Sequence, residues 1–513
     1  MNDNELVTQL RKAVEEHVQD YLRQQPMRQV LSVNWMEALT RTLLMSLALA
    51  MFDAWKAGLD QVARQLGLRC PGCGKQRKCK TRASKPMVVK LLGLSIEVPK
   101  LYLECGHCDA PGISITKLLT GLRSGAFSAE LELRAGYVAS QHSYGKASRD
   151  LEVHYQQPVE RTSVRRMALK VEEHALQFAE LSRREELERI SAEQRTQGLE
   201  RLMLQGDGGS VRTGKLVPCE PGDPGYGNKT PKTGKPMRKR VAQNREIITL
   251  DVREPGESEP SALDVMVPAL AATGERERRM LALATRKGLG DNTRVFGLGD
   301  LGSNLPSAFD EAFVGYDAVY SGDWQHVREY VHNAASVLVD LDAESWQQQM
   351  RDVIWNRDER QRDALLQQAH DHRVEELPRQ MQRCPVRALR TYLTNNWTRM
   401  QAASFKEQGL DFVSARAEAQ VRDRTKARFA VPGAWRQESL EPKATLRAII
   451  AEGRWKSFRA DYLRRSRTLF DQQLTQRLEQ AIDDGRLHSD QLIELLAHAN
   501  ETPLNPSHLE AAA

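Results

Sequence analysis

Short apolar runs that stop abruptly at an acidic residue set the rhythm of the middle of this chain. Val295-Phe296-Gly297-Leu298-Gly299 leads into Asp300, and Tyr316-Asp317-Ala318-Val319-Tyr320 leads through Ser321-Gly322 into Asp323. Upstream, Leu202-Met203-Leu204-Gln205-Gly206 ends in the same way at Asp207. A brief apolar run bounded by Gly and polar residues reads as a buried strand. An acidic residue at the carboxyl end of such a strand lies where open α/β sheets place their chemistry. After Asp323-Trp324-Gln325-His326 the apolar positions Val327, Tyr330, Val331 and Ala334 change to helical spacing. Residues 246–252 (EIITLDV) read as a strand that pairs with the one carrying Asp207, and residues 261–287 as a helix feeding the strand before Asp300.

The flanking pattern is mostly helical. Leu6, Leu10, Val14, Val18 and Leu22 open a helical block that breaks at Pro26 and resumes from Trp35 to Leu66. Residues 87–98 and 101–103 read as strands. Residues 128–140, 143–155 and 160–175 read as three short helices, and 172–200 as a charged connecting helix. Between His326 and Glu418 the apolar anchors Trp346, Met350, Ile354, Trp355 and Leu365 mark a mostly helical stretch, with an insertion at about 335–405. From residue 436 a basic, amphipathic helical tail follows.

Composition bounds this plan. A length of 513 residues is a prior of about three domains. The net charge is only +6, so any polyanion surface must come from local clustering. Arg69, Lys75, Arg77, Lys78, Lys80, Arg82, Lys85 and Lys90 form one cluster, read as phosphate-contacting. Lys235, Arg238, Lys239 and Arg240 form another, in a Gly- and Pro-rich stretch that reads either as a DNA-contact loop or as a solvated one. Arg165 and Arg166 lie on the last of the three short helices, which resemble a helix-turn-helix or else a plain packing module. Residues 1–16 are charged throughout, unlike a secretory signal, and the apolar run 43–52 is too short to span a bilayer. The expectation is a cytoplasmic, nucleoid-associated protein without a membrane partner.

Five of the seven cysteines fall between Cys70 and Cys108. Cys70-Pro71-Gly72-Cys73 and Cys105-Gly106-His107-Cys108 are two knuckles, each turned by a glycine, which suits tetrahedral thiolate ligation of structural Zn²⁺. Cys79 reads as a spare thiol, His107 as a group supporting the ligands, and Cys219 and Cys384 as isolated and inert. Free cysteines are the plain alternative.

The acidic residues suggest a second kind of metal site. Asp207 and Asp300, joined by Glu418 from a helix near residues 413–429, would make an oxygen-only cluster suited to Mg²⁺ or Mn²⁺. Two such ions clamp the attacking and leaving oxygens of an in-line phosphoryl displacement. Asp323 follows its strand as closely as Asp300 does, so spacing does not rank the two.

With its motifs in this order, the chain resembles the DDE transposases with an RNase H-like core, and more narrowly the ISKra-type bacterial insertion-sequence transposases. In that group the first Asp lies in D-G, the second in G-D-G-A, a D-x-x-H comes next, and the last carboxylate lies in G-S-G-x-x-E. Here these read Asp207-Gly208, Gly299-Asp300-Leu301-Gly302, Asp323-Trp324-Gln325-His326 and Val413-Ser414-Ala415-Arg416-Ala417-Glu418, with Val413 and Ala415 in place of the two glycines. The resemblance covers roughly residues 65–460. It implies that Asp207, Asp300 and Glu418 hold two Mg²⁺ ions, with Asp323 and His326 orienting the site or the strand, Asp323 as a ligand being the alternative. A K-x-x-G-x-x-W stretch of the family has a near counterpart in Lys426, Gly433 and Trp435. Arg424, Arg428 and Trp435 then grip phosphate and stack on a base, unless Trp435 is core.

The expected architecture is a mixed α/β multidomain chain. It comprises a helical N-terminal region (1–66), a zinc ribbon (67–112) and a helix-turn-helix-like part with its connecting helix (125–200). An RNase H-like core (201–435) with an all-helical insertion and a basic helical tail (436–513) complete it. The expected function is cutting and joining of double-stranded DNA at transposon ends and target, by a homo-oligomer assembled on DNA. The alternatives are a transposase-derived DNA-binding protein without catalysis and a metal-dependent nuclease.

Overall fold

The computed structural model describes residues 33–65, 68–122, 125–191, 197–229, 234–257, 262–373, 384–415 and 435–487, with a few single positions elsewhere. It divides into two compact units, one of residues 1–134, 149–159 and 462–513 and the other of 135–148 and 160–461. The sequence suggests five segments in chain order. Instead, the C-terminal segment is shared between the units, with residues up to 461 in one and the rest in the other.

The first unit is built on a helix and a small sheet. Helix α1 (Val33–Gln65) is followed by β1 (Lys78–Leu91) and β2 (Leu94–Glu104), which pair antiparallel from Lys78–Glu104 to Leu91–Leu94. The single strand expected over 87–98 is therefore a hairpin. Its two-residue turn is Leu92–Gly93, and Gly93 takes φ 75°, a conformation that glycine reaches at little cost. β3 (Ile113–Ser114), α2 (Ile115–Thr120) and β4 (Ala126–Phe127) complete a sheet of order β3-β2-β1-β4. Its core joins Leu59, Val98, Leu101 and Ile115 to Leu474, Leu478 and Ala481 from the far end of the chain.

Helices α3 (Ala129–Gln141) and α4 (Tyr144–Tyr155) lie where the apolar spacing puts them. The third, α5 (Arg161–Ser191), runs unbroken through the region read as a separate connector. Buried Val164, Met167, Ala168, Val171, Ala175 and Ala179 keep one apolar stripe going along it.

The second unit holds a five-stranded mixed sheet of order β7-β6-β5-β8-β9. Its strands are β5 (Arg201–Pro218), β6 (Arg238–Arg253), β7 (Ala262–Met266), β8 (Arg294–Gly299) and β9 (Asp317–Gly322). β5, β6 and β7 form an antiparallel meander, while β8 runs parallel to β5 and β9 parallel to β8. Two expectations change here. Residues 262–266 are a buried strand and only 275–287 is the helix α6 (Glu275–Lys287), because ALDVM pairs with β6 and Pro268 starts a separate short turn before that helix. β6 also begins at Arg238, not at Glu246, so the basic stretch is partly strand.

Helices α7 (Leu305–Ala312) and α8 (Trp324–Ala335) follow β8 and β9. The insertion is helical where it is described: α9 (Ala343–Asn356), α10 (Glu359–Asp371), α11 (Pro385–Asn396) and α12 (Ala402–Glu407). Helices α13 (Leu440–Ala451) and α14 (Trp455–Asp483) come last. Alternation along the strands separates two apolar layers. Leu202, Leu204, Ile248 and Leu250 face α6–α9 and α11, whereas Met203, Phe296 and Leu298 face Phe405 and Leu410. Among the described residues no helix is long and apolar enough to cross a membrane.

Charge is also buried in this unit. Asp264 of β7 accepts from Arg183 of α5 at 3.2 Å, and Arg279 of α6 reaches Glu275 and Glu441. Burial opposes the charge on Asp264, but Arg279, Arg183 and Arg286 overcome it and hold the carboxyl below its ordinary range.

β8 leaves no room for a side chain at its centre. A Cβ on Gly297 would lie 2.3 Å from Tyr320 Cδ2 and 2.8 Å from Phe309 Cε2, both in buried rings. Gly297→Ala is expected to lower unfolding stability by about 1–3 kcal/mol, as overpacking does. A urea midpoint equal to that of the parent protein would refute this.

Candidate active site and cysteine centre

Three Gly-Asp pairs create the candidate active site. Gly206, Gly299 and Gly322 stand side by side in the parallel register of β5, β8 and β9. Each glycine is forced by close approach. A Cβ on Gly206 would come within 3.0 Å of Leu305 Cδ1, one on Gly299 within 2.7 Å of the Gly206 carbonyl oxygen, and one on Gly322 within 2.4 Å of Leu301 Cδ1. Asp207, Asp300 and Asp323 follow these glycines, so three acidic residues stand in one row across adjacent strands: Asp300 and Asp323 just past the ends of β8 and β9, and Asp207 within β5, where β8 stops pairing with it. The repeated Gly-Asp dipeptide is a usable signal in the sequence that strand patterning alone does not exploit.

The three acids differ in surroundings. Asp207 is half-buried and its Oδ1 accepts the N–H of Gly208 at 2.7 Å. The Asp300 side chain is 39% exposed, and its Oδ1 accepts from Gly302 N at 2.8 Å. Asp323 is fully buried and caps α8, with Oδ1 accepting from Gln325 N at 2.7 Å and Oδ2 accepting from the Ser414 hydroxyl. Both oxygens of Asp323 are thus engaged by the protein, whereas Asp300 faces outward.

His326 lies one turn into α8. Its Nδ1 is 3.9 Å from Asp300 Oδ1 and 4.0 Å from Asp323 Oδ2, too far for a hydrogen bond to either. That nitrogen is buried without a hydrogen-bond partner among the described residues. Tyrosines line the same end of the sheet. Tyr330, one turn beyond His326, stacks on Tyr392 of the helical insertion with centroids 4.2 Å apart. Burial and then the nearby Asp300 charge push the Tyr320 and Tyr392 phenols above their ordinary range. Both hydroxyls are buried without a partner among the described residues.

The chain returns to this site after the insertion. Trp324 N donates to Phe412 O at 3.0 Å, and Gln205 Nε2 donates to Asp411 Oδ2 at 2.8 Å. Asp411 also pairs with Arg253. These bonds and Ser414 tie residues 411–414 to the carboxyl end of the sheet, just before Glu418. Glu418 itself lies outside the described residues, as do Arg424 and Arg428.

The remaining predicted contacts fall in different settings. Arg165 and Arg166 are exposed on α5. Lys235, Arg238 and Arg240 are exposed, but Lys239 is paired with Asp223 at 2.7 Å. Trp435 has a packing role: its indole N–H donates to Phe429 O at 3.1 Å and its ring meets Phe429 edge-on at 5.3 Å. It packs against an apolar cluster that includes Val211, Ile247 and Leu440, which sets it apart from the exposed base-stacking platform the sequence allows.

The cysteine knuckles do converge. The sulfurs of Cys70, Cys73, Cys105 and Cys108 all lie within 4.8 Å of one another, the only such group of possible ligands among the described residues. Cys70–Cys108 and Cys73–Cys105 are separated by 3.4 and 3.5 Å. A zinc tetrahedron with Zn–S bonds of about 2.3 Å has sulfur–sulfur edges of roughly 3.8 Å, so little movement would be needed. Burial works against a thiolate at Cys70, yet the N–H groups of Gly72 and Cys73 bring it down to about 6. The His107 amide points at Cys105 Sγ at 3.4 Å, so that residue supports the knuckle through its backbone. Cys79 is apart from the group, packed against the core of the sheet.

In comparisons with family models and with curated proteins, the chain matches none.

Protein purified without chelator is expected to carry one zinc ion per chain. Cys105→Ser should lose that ion and loosen the first unit, because metal binding supplies folding free energy to such modules. Elemental analysis that finds no metal in the parent protein would overturn this.

Proposed function

We propose that this chain is a DDE-type DNA strand transferase on an RNase H-like core, a transposase that cuts and joins DNA at the ends of an insertion sequence. The observation that carries the reading is the row of Asp207, Asp300 and Asp323 across β5, β8 and β9, at the level where β8 and β9 end. Further support comes from the sheet, an antiparallel meander continued by two parallel strands, which is the arrangement expected of an RNase H-like core. The helical insertion between β9 and the Glu418 segment has its place in the same plan.

The donor chemistry fits divalent ions. Asp207 and Asp300 offer oxygen ligands that reach solvent, and Glu418 follows a segment tied to the same sheet end. When bound, two Mg²⁺ ions would polarise the scissile phosphate and offset the developing charge. Asp323 serves another purpose: with both oxygens already engaged, it fixes the start of α8 and holds Ser414. His326, on the first turn of that helix, is placed to donate a hydrogen bond or accept a proton beside Asp300.

The test uses full-length protein, Mg²⁺ and linear duplex carrying the sequences that flank its gene. Joined strands support the transposase, nicks alone indicate a nuclease, and bound but intact DNA indicates a silent binder. Asp300→Asn should reduce cleavage by about a thousandfold or more while leaving DNA binding intact, since several kcal/mol of transition-state stabilisation depend on the ions. Asp323→Asn should cleave measurably, because asparagine keeps an oxygen to accept the Gln325 N–H and caps a helix about as well as aspartate. If Glu418→Gln cleaves normally and Asp323→Asn is dead, the ligand trio is Asp207, Asp300 and Asp323 instead.

A further inference from the structure

We propose that the part of the β5–β6 pair extending past Asp207 is a two-stranded ribbon that enters the major groove of duplex DNA with one face. This inference rests on the proposed DNA function and adds the element and the groove. β8 pairs with β5 only as far as Gly206, and β7 pairs with β6 only from Ile248 onward. Beyond them the two strands pair with each other to Pro218–Arg238, with Trp435 bridging the other edge of β5 at Arg212–Gly214 and the last four residue pairs flanked by no further strand among the described residues. From Ser210–Glu246 to that pair the ribbon is about 27 Å long, at roughly 3.4 Å per residue.

The two faces of this ribbon differ. One carries Val211 and Ile247, buried in an apolar cluster, and Lys239, which is bound to Asp223. The base of that face leans on the protein, while the Lys215–Val241 pair farther out on it is exposed. The other presents successive cross-strand pairs Arg212–Asn244, Gly214–Ala242, Leu216–Arg240 and Pro218–Arg238. Arg212, Arg238, Arg240, Ala242 and Asn244 are exposed. The one carboxylate on this face, Glu246, lies at its root near Gly208.

The chemistry of this face is that of a groove binder. Arg212, Arg238 and Arg240 stand exposed on this face beside the small, exposed Ala242, while Gly214 is buried and bonded to Trp435. Arg212 and the Leu216–Arg240 pair are separated by roughly 13 Å along the ribbon, close to the B-DNA major-groove width of about 12 Å. That groove admits a two-stranded β-ribbon, whereas the minor groove is too narrow. Lys239, counted among the contacts from sequence, is excluded by its position on the other face.

The test measures binding of the full-length protein to a random-sequence 30-base-pair DNA duplex by fluorescence anisotropy across a salt series. The variants are Arg212→Gln/Arg238→Gln/Arg240→Gln, the single Arg240→Gln, and Lys239→Gln. Each lost phosphate contact should lower the slope of log K against log salt by about 0.9, so the triple variant should lose about 2–3 units and at least about tenfold in affinity. Arg240→Gln should lose up to about 0.9, and Lys239→Gln should shift affinity less than about twofold. Methyl green, which occupies the major groove, should compete, and a minor-groove drug should not. An unchanged slope in both arginine variants, or competition by the minor-groove drug alone, overturns the ribbon. A parent protein that binds no duplex even at low salt overturns the DNA reading itself.

Discussion

The candidate site depends on the flush parallel register of β5, β8 and β9. Hydrogen bonds in a parallel ladder are evenly spaced, so a slip of one residue would move every side chain to the opposite face of the sheet. Here Gly206, Gly299 and Gly322 align; a Cβ at Gly299 would meet the Gly206 carbonyl, and one at Gly206 or Gly322 would crowd Leu305 or Leu301. The same contacts that resist a slip therefore put three carboxylates in a row. Packing supplies the alignment, and the acids follow from it.

The electrostatics around that row are graded. Asp323 accepts from the Gln325 amide and the Ser414 hydroxyl at the N-terminal end of α8. Asp300 is partly exposed beside Nδ1 of His326, which has no hydrogen-bond partner among the described residues. The insertion contributes to this arrangement, since Tyr392 of α11 stacks on Tyr330, which shares a face of α8 with His326. A segment distant in sequence thus braces the helix that carries the histidine.

The strands ending in Asp207, Asp300 and Asp323 are legible because each is short, apolar and stopped by a polar residue. The cysteine knuckles are legible because metal geometry dictates their spacing. Strand β7 is not, since five buried residues before a proline carry no period that separates strand from helix. The hairpin turn at Gly93 escapes notice because one apolar run continues through it on both sides. The long reach of β5 and β6 is hidden for a different reason. A polar ribbon exposed on one face lacks the hydrophobic signal that announces a buried strand, and its pairing is fixed by the partner strand. Asp323 and Asp300 look equivalent in sequence, and only the bonds from Gln325 and Ser414 distinguish them.

The core of the first unit draws Leu474, Leu478, Ala481 and Leu487 into contact with residues 59–118. During synthesis, the inner face of β1 and β2 leaves the ribosome long before those partners exist. At about 5–20 residues per second, the intervening stretch takes roughly 20–70 s to make. For that interval the nascent module has α1 and α2 to pack on this face but lacks the share of its core that Leu474, Leu478, Ala481 and Leu487 supply. The first sheet to be translated is thus completed only when the end of the chain has been made.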